Sequence, residues 1–193
     1  MHHGCPIPQL ARIIRTERLT LLPVGLENLA DLIRLKRDPA VFSTMLHGPR
    51  APERTLEELE DDIDFWEVRG YGTWCIFRTQ DGAFLGISGL MERPDGRGVA
   101  LRYALWPEAR GHGYAREAAR AALAFGHRAG LKRIIAVARE TNTASVAVLE
   151  TLGLTYSSDF NNHGHRMLVF ESLAADRVGD GAARQDQRLG LSV

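Results

Sequence analysis

A chain of 193 residues, 45% hydrophobic and 25% charged, has the composition of an ordinary globular protein and suffices for one core, which sets aside disordered and collagen-like classes. Its 24 Lys and Arg residues balance 24 Asp and Glu, so the positive field of a nucleic-acid binder is absent. No apolar run approaches the roughly 18 residues that span a bilayer, the stretch before Ile13 lacks a secretory pattern, and Cys5 and Cys75 are too separated to suggest a disulfide framework or a metal pair, so a cytoplasmic protein without membrane partners is expected.

Residues 1–12 read as an N-terminal tail, and residues 13–22 as a strand rich in β-formers and stopped by Pro23. Leu26, Leu29, Ala30, Leu32, Ile33 and Leu35 recur at helical spacing until Asp38-Pro39. Thr55 is expected to cap a second helix with Glu58 as its capping-box partner, Leu56, Leu59, Ile63 and Trp66 forming the apolar stripe and Gly70 the end. That helix also carries Glu57, Glu58, Glu60, Asp61, Asp62, Asp64 and Glu67, either a solvated face or a patch that attracts a cationic amine.

Three strands, 73–78, 84–90 and 99–105, are separated by Gln80-Asp81-Gly82 and Arg93-Pro94-Asp95-Gly96, which predicts an antiparallel meander. An alanine-rich helix over 115–129 stops at Gly130, and 133–138 forms an apolar strand, so strand, helix and strand make a crossover. A shorter helix over 143–152 ends at Gly153, and two strands flank Asn161-Asn162-His163-Gly164. Residues 174–193 are polar and expected to be disordered, leaving one domain over 13–173.

The most informative stretch lies between the strand 99–105 and the helix that follows: Arg110-Gly111-His112-Gly113-Tyr114-Ala115-Arg116. Two glycines there either connect a strand to a helix or let successive N–H groups converge on an anion at a helix N-terminus, with a pyrophosphate as the natural occupant. A dinucleotide fingerprint would need glycine where Arg116 stands, and the Gly-Lys-Ser/Thr of a Walker loop is missing.

Arg110-x-x-Gly113-x-Ala115 resembles the Gln/Arg-x-x-Gly-x-Gly/Ala turn of the GNAT acyltransferases. Thr16-Glu17-Arg18-Leu19-Thr20-Leu21, Ala115-Arg116-Glu117-Ala118 and the run from Asn142 to Leu154 are similar to motifs of the branch that includes the ribosomal-protein N-terminal acetyltransferases, in the same order. The resemblance covers roughly Ile13 to Glu171. It implies an α/β fold: a mixed, mainly antiparallel seven-stranded sheet flanked by four helices in the order βααβββαβαββ, with strands four and five splayed. It implies acetyl-coenzyme A as acyl donor, its diphosphate on the amides of Arg110, Gly111, His112, Gly113, Tyr114 and Ala115, with charge from Arg116. The pantetheine arm would pair with the backbone of Ala104, Leu105 and Trp106, although Trp106 also reads as plain core.

Amine acetylation needs a neutral attacking amine, a donor for the oxygen that gains charge and a proton for the departing thiolate. The tyrosine that many relatives use as acid is Leu149 here, and the resemblance assigns that role to Ser145, an ordinary first-turn helix residue in the alternative reading. Asn142 reads as an N-cap with cofactor contact as a second role. The branch's strand glutamate is Ala100, which leaves Tyr103 to bind substrate or polarise water, and His163 and His165 as bases if not plain loop histidines. Cys75 reads as buried, so direct attack of a primary amine without a covalent intermediate is expected, and no metal. The acceptor, a peptide N-terminus, amino acid or small amine, stays open, as does a homodimer. A non-catalytic coenzyme A sensor and a nucleotide-dependent phosphotransferase are the rival classes.

Overall fold

A computed structural model describes residues 9–43, 45 and 47–175. The elements are β1 (Ile14–Arg15), β2 (Leu19–Pro23), α1 (Leu29–Arg37), α2 (Pro39–Phe42), α3 (Pro52–Arg69), β3 (Thr73–Arg78), β4 (Phe84–Glu92), β5 (Val99–Leu105), α4 (Tyr114–Arg128), β6 (Arg133–Arg139), α5 (Thr143–Thr151), β7 (Thr155–Asn162) and β8 (His165–Leu173). One eight-stranded sheet runs β1-β2-β3-β4-β5-β6-β8-β7, antiparallel except where β5 meets β6. The expected mixed, mainly antiparallel α/β architecture is present, and β3–β4–β5 form the meander read from the turn residues. Cys5 and most of the C-terminal tail lie outside the described residues.

Three local expectations change. The first strand divides into β1 and β2, because the Thr16 amide donates to the Leu19 carbonyl (2.9 Å) and the Leu19 amide to the Thr16 hydroxyl (3.0 Å), closing a tight turn. Asp38-Pro39 ends α1 and at once starts α2, Asp38 accepting from the Ala40 amide at 2.7 Å. Helix α3 begins a turn before Thr55, with Pro52 in the first helical position that its ring favours. Thr55 is fully buried and donates to the Ala51 carbonyl (3.1 Å) instead of capping.

Alternation along the strands divides the sheet into two faces. Leu90 and Ile134 face α4, where Gly126 lets the helix approach so closely that a Cβ there would lie 2.5 Å from Leu90 Cδ1. Helices α1–α3 cover the face of Thr73, Ile87, Arg102 and Ala104. The C-terminal end of α3 brings Trp66 into edge contact with Trp74 (4.8 Å) and Phe125 (5.9 Å), and its indole donates to the Thr73 carbonyl at 2.8 Å. Arg12 is buried beside this cluster, bound to Glu67 (2.6 Å), and its carbonyl accepts from the Trp74 indole (2.8 Å).

Candidate active site

Strands β5 and β6 pair only at Ala100 with Ile135 and Leu101 with Ala136. Beyond those pairs the edge of β5 that faces β6 has no strand partner, so the sheet opens at the point where Tyr103 and Ala104 stand. A cavity of about 580 Å³ fills this opening, walled by Tyr103, Ala104 and Leu105 of β5, by the turn before α4, and by Asn142 and Ser145 of α5.

The turn is built by its glycines. Gly111 and Gly113 both have φ of 79°, a region that side chains with a Cβ disfavour. Among the described residues nothing accepts from the amides of Gly111, His112, Gly113, Tyr114, Ala115 or Arg116; the Glu117 amide is the first to be used, by the Gly113 carbonyl (3.0 Å). Six consecutive donors at a helix N-terminus form a cradle for a polyanion. Arg116, exposed and without a partner among the described residues, lines the same cavity.

Arg110 departs from its expected role. Its amide donates to the Pro107 carbonyl (3.1 Å), so the open row begins at Gly111. Its guanidinium donates to the Leu105 carbonyl (3.1 Å) and the Ala40 carbonyl (2.8 Å), tying α2 to the end of β5. The Trp106 amide likewise donates to the Leu85 carbonyl (3.0 Å), and the half-buried ring packs against the cluster of Leu35, Val41 and Phe42.

Tyr103 and Ser145, remote in sequence, meet: their hydroxyl oxygens are 2.9 Å apart. Burial pushes the Tyr103 phenol above its ordinary value, partly offset by the hydrogen bond with Ser145, so the phenol stays protonated at neutral pH. Asn142 caps α5, its side-chain oxygen accepting from the Ser145 amide at 3.1 Å, and thereby fixes Ser145 in the first turn. Leu149 is buried, and so is Cys75, whose thiol burial drives far up, which removes it as a nucleophile.

A clamp that sequence reasoning missed holds the turn from behind. The Glu117 carboxylate accepts from the Thr16 hydroxyl (2.6 Å), the Arg18 amide (2.9 Å) and Arg18 Nε (2.7 Å). Arg18 Nη1 donates to the His112 carbonyl (2.9 Å), and its guanidinium lies over the Tyr114 ring (4.9 Å). Burial alone would raise the Glu117 pKa, but hydrogen bonds from Thr16 and Arg18 hold it below the ordinary carboxylate value. Two separately quoted motifs, Thr16 to Leu21 and Ala115 to Ala118, are therefore one device.

A second cavity, about 470 Å³, lies beyond Tyr103 and shares Tyr103, Arg139, Asn142 and Ser145 with the first. His47, His163 and His165 line it, placing both candidate base histidines at its wall. In the acidic row of α3, Glu57 pairs with Arg54, Glu58 with Lys36 and Arg50, and Glu67 with Arg12, while Glu60, Asp61, Asp62 and Asp64 make no ion pair among the described residues. Among the described residues no group of His, Cys, Asp and Glu is arranged to hold a metal ion, and no helix is long and apolar enough to cross a membrane.

A family model described as an acetyltransferase (GNAT) domain matches residues 18–155. The chain is 28% identical over 165 residues to the FsC-acetyl coenzyme A-N(2)-transacetylase of Aspergillus fumigatus, covering 77% of this chain and 67% of that protein. An acetyltransferase from Agrobacterium tumefaciens superposes with a TM-score of 0.73 at 26% identity, over 89% of this chain and 98% of the other. A ribosomal L7/L12 alpha-N-protein acetyltransferase in complex with coenzyme A gives 0.72 at 20% identity, over 83% and 97%.

Proposed function

Because the chain belongs to the acetyltransferase (GNAT) family, whose model spans residues 18–155, we propose that it transfers an acetyl group from acetyl-coenzyme A to a primary amine by direct attack. The observation that carries this reading is the row of unengaged amides from Gly111 to Arg116 at one end of a cavity whose other end holds the Tyr103–Ser145 pair. The amides and Arg116 suit a diphosphate, and the unpartnered edge of β5 near Ala104 suits the amides of a pantetheine arm.

Acetyl-coenzyme A, when bound, supplies a thioester carbonyl open to an unprotonated amine and a thiol leaving group with a pKa of about 8.5. Tyr103 and Ser145 hold two hydroxyl protons between them. One lies in their mutual hydrogen bond, and the other is free for the departing sulfur: Ser145 donates it, Tyr103 passes its own proton to Ser145, and the proton given up by the acylated amine returns to Tyr103. The amine enters from the second cavity and loses its surplus proton on that side, where His163 and His165 stand. Much of the acceleration comes from holding two reactants at one opening in the sheet.

Thiol release from acetyl-coenzyme A against a panel of peptides and small amines tests the proposal, with Ser145→Ala and Tyr103→Phe beside the parent. Each variant is expected to lose roughly a hundredfold in kcat, with coenzyme A affinity by calorimetry unchanged. Undiminished turnover in both would remove the pair from the chemistry. Coenzyme A binding without thiol release from any amine would favour the non-catalytic sensor.

A further inference from the structure

The second cavity is unusual in its charge. Its wall carries Arg93, Arg102 and Arg139 together with His47, His163 and His165, and no Asp or Glu is among the described residues that line it. Several arginines elsewhere in the chain are matched, Arg18 with Glu117, Arg54 with Glu57, Arg78 with Asp81 and Arg166 with Glu140 and Asp159, whereas Arg116 in the first turn of α4 is not. Arg93 in the cavity wall is itself held by Asp95 at 2.6 Å. The guanidinium groups of Arg102 and Arg139 make no hydrogen bond or ion pair with any described residue.

Arg102 is the more telling of the two. Its side chain is exposed, and it stands in the wall between this cavity and a neighbouring one of about 320 Å³ that Glu58, Asp61 and Asp62 also line. Desolvation holds its guanidinium below the ordinary arginine value, with Asp62 and then Glu58 opposing, and an anion in the cavity would reverse that shift. The acid that acts on it most, Asp62, lies on the buried face of α3 and makes no ion pair with it, and Glu58 is taken by Lys36 and Arg50. A guanidinium in this setting is short of one planar oxyanion.

Arg102 also stands next to Tyr103 on β5, and both line the cavity that reaches Ser145. Resting on the transferase reading above, we propose that the acceptor is a small amine that also carries an oxyanion, a carboxylate or a phosphate, which Arg102 binds, with Arg139 in support, while the amine lies at the Tyr103–Ser145 pair. Ring N–H groups of His47, His163 and His165 in the same wall add donors to the oxyanion. The proposal excludes polyamines and other purely cationic acceptors, which would meet two unmatched arginines and no acid on this wall.

The test uses matched acceptors: ω-amino acids with two- to six-carbon chains, their carboxamides, and the corresponding aminoalkyl phosphates. The anionic acceptor of optimal length is expected to exceed its carboxamide about ten- to a hundredfold in kcat/KM, the range of a charge-assisted pair. Arg102→Gln is expected to collapse that ratio toward one through KM, and Arg102→Lys to restore part of it. The relative rates of carboxylates and phosphates identify which oxyanion the site takes. Carboxamides or polyamines used as well as the anions, or a ratio unmoved by Arg102→Gln, would overturn the inference.

A separate readout does not depend on turnover: calorimetric binding of the N-acetylated ω-amino acids and of their amides, with coenzyme A present. Arg102-dependent binding of the anion without thiol release would sink the transferase reading and leave the anion site standing. Absence of both binding and preference would sink the anion site.

Discussion

At the scale of single residues, Glu117 does more for the candidate site than any side chain that touches it. Three hydrogen bonds converge on its carboxylate, and through Arg18 they reach the carbonyl of His112, in the middle of the amide row. Substituting Glu117→Gln keeps the volume and removes the charge that orders Thr16 and Arg18. The variant is expected to lose about 2 kcal/mol of stability by urea unfolding, the scale of a charge-assisted hydrogen bond. It is also expected to bind coenzyme A roughly tenfold more weakly by calorimetry, about 1.4 kcal/mol for re-ordering the turn. Unchanged affinity would mean that Gly111 and Gly113 shape the cradle without help from β2.

At the scale of elements, the packing of α1 on α3 hinges on one acid. Lys36 of α1 is almost fully buried and reaches Glu58 of α3 at 2.9 Å, while Arg50, from the loop between them, reaches the same carboxylate at 2.7 Å. Read locally, Glu58 looked like the partner of a capping Thr55. Its actual partners are Lys36 of another helix, Arg50 of a loop and, at 3.4 Å, Arg54 one turn back on α3, because Pro52 moved the helix start and turned Thr55 inward. Glu58→Ala leaves Lys36 buried without a counter-charge and is expected to cost about 3 kcal/mol in urea unfolding. Adding Lys36→Met to it is expected to recover most of the loss.

At the scale of the molecule, these acids set the response to pH. Glu58 and Glu117 both have folded-state values below the ordinary 4.5, each against a burial contribution that works the other way. The unfolded chain therefore binds their protons first as pH falls, and the stability they confer is present above about 4.5 and lost as pH drops through their folded values. Asp62 runs in the opposite sense: burial raises it above 3.8, with Lys36 and Arg102 opposing, so its contribution is present below 3.8 and lost as pH rises through its folded value. Urea midpoints from pH 7 to pH 3 should fall steeply below 4.5 in the parent and less steeply in the Glu58→Gln, Glu117→Gln double variant. Equal slopes would remove these two carboxylates as the source of acid sensitivity.

What the sequence determined by itself is whatever short-range geometry controls. The order of strands and helices, the hairpin turns at Gly82 and Gly96, the Asn142 cap and the open turn at Gly111 to Gly113 all follow from residues within a few positions of one another. Beyond local details such as the Thr16–Leu19 turn and the start of α2, what only the tertiary structure decided is a set of partnerships across long separation. The Tyr103–Ser145 bond spans 42 residues and the Thr16–Glu117 bond 101, and neither separation has a period or a motif that announces it. The unmatched charge of Arg102 belongs to the same class. It became visible once the opening of β5 from β6 had placed it in a cavity wall and Glu58 had been claimed by other cations. Backbone conformation is a local property of the chain, whereas the pairing of polar groups depends on which strands meet, and in what register.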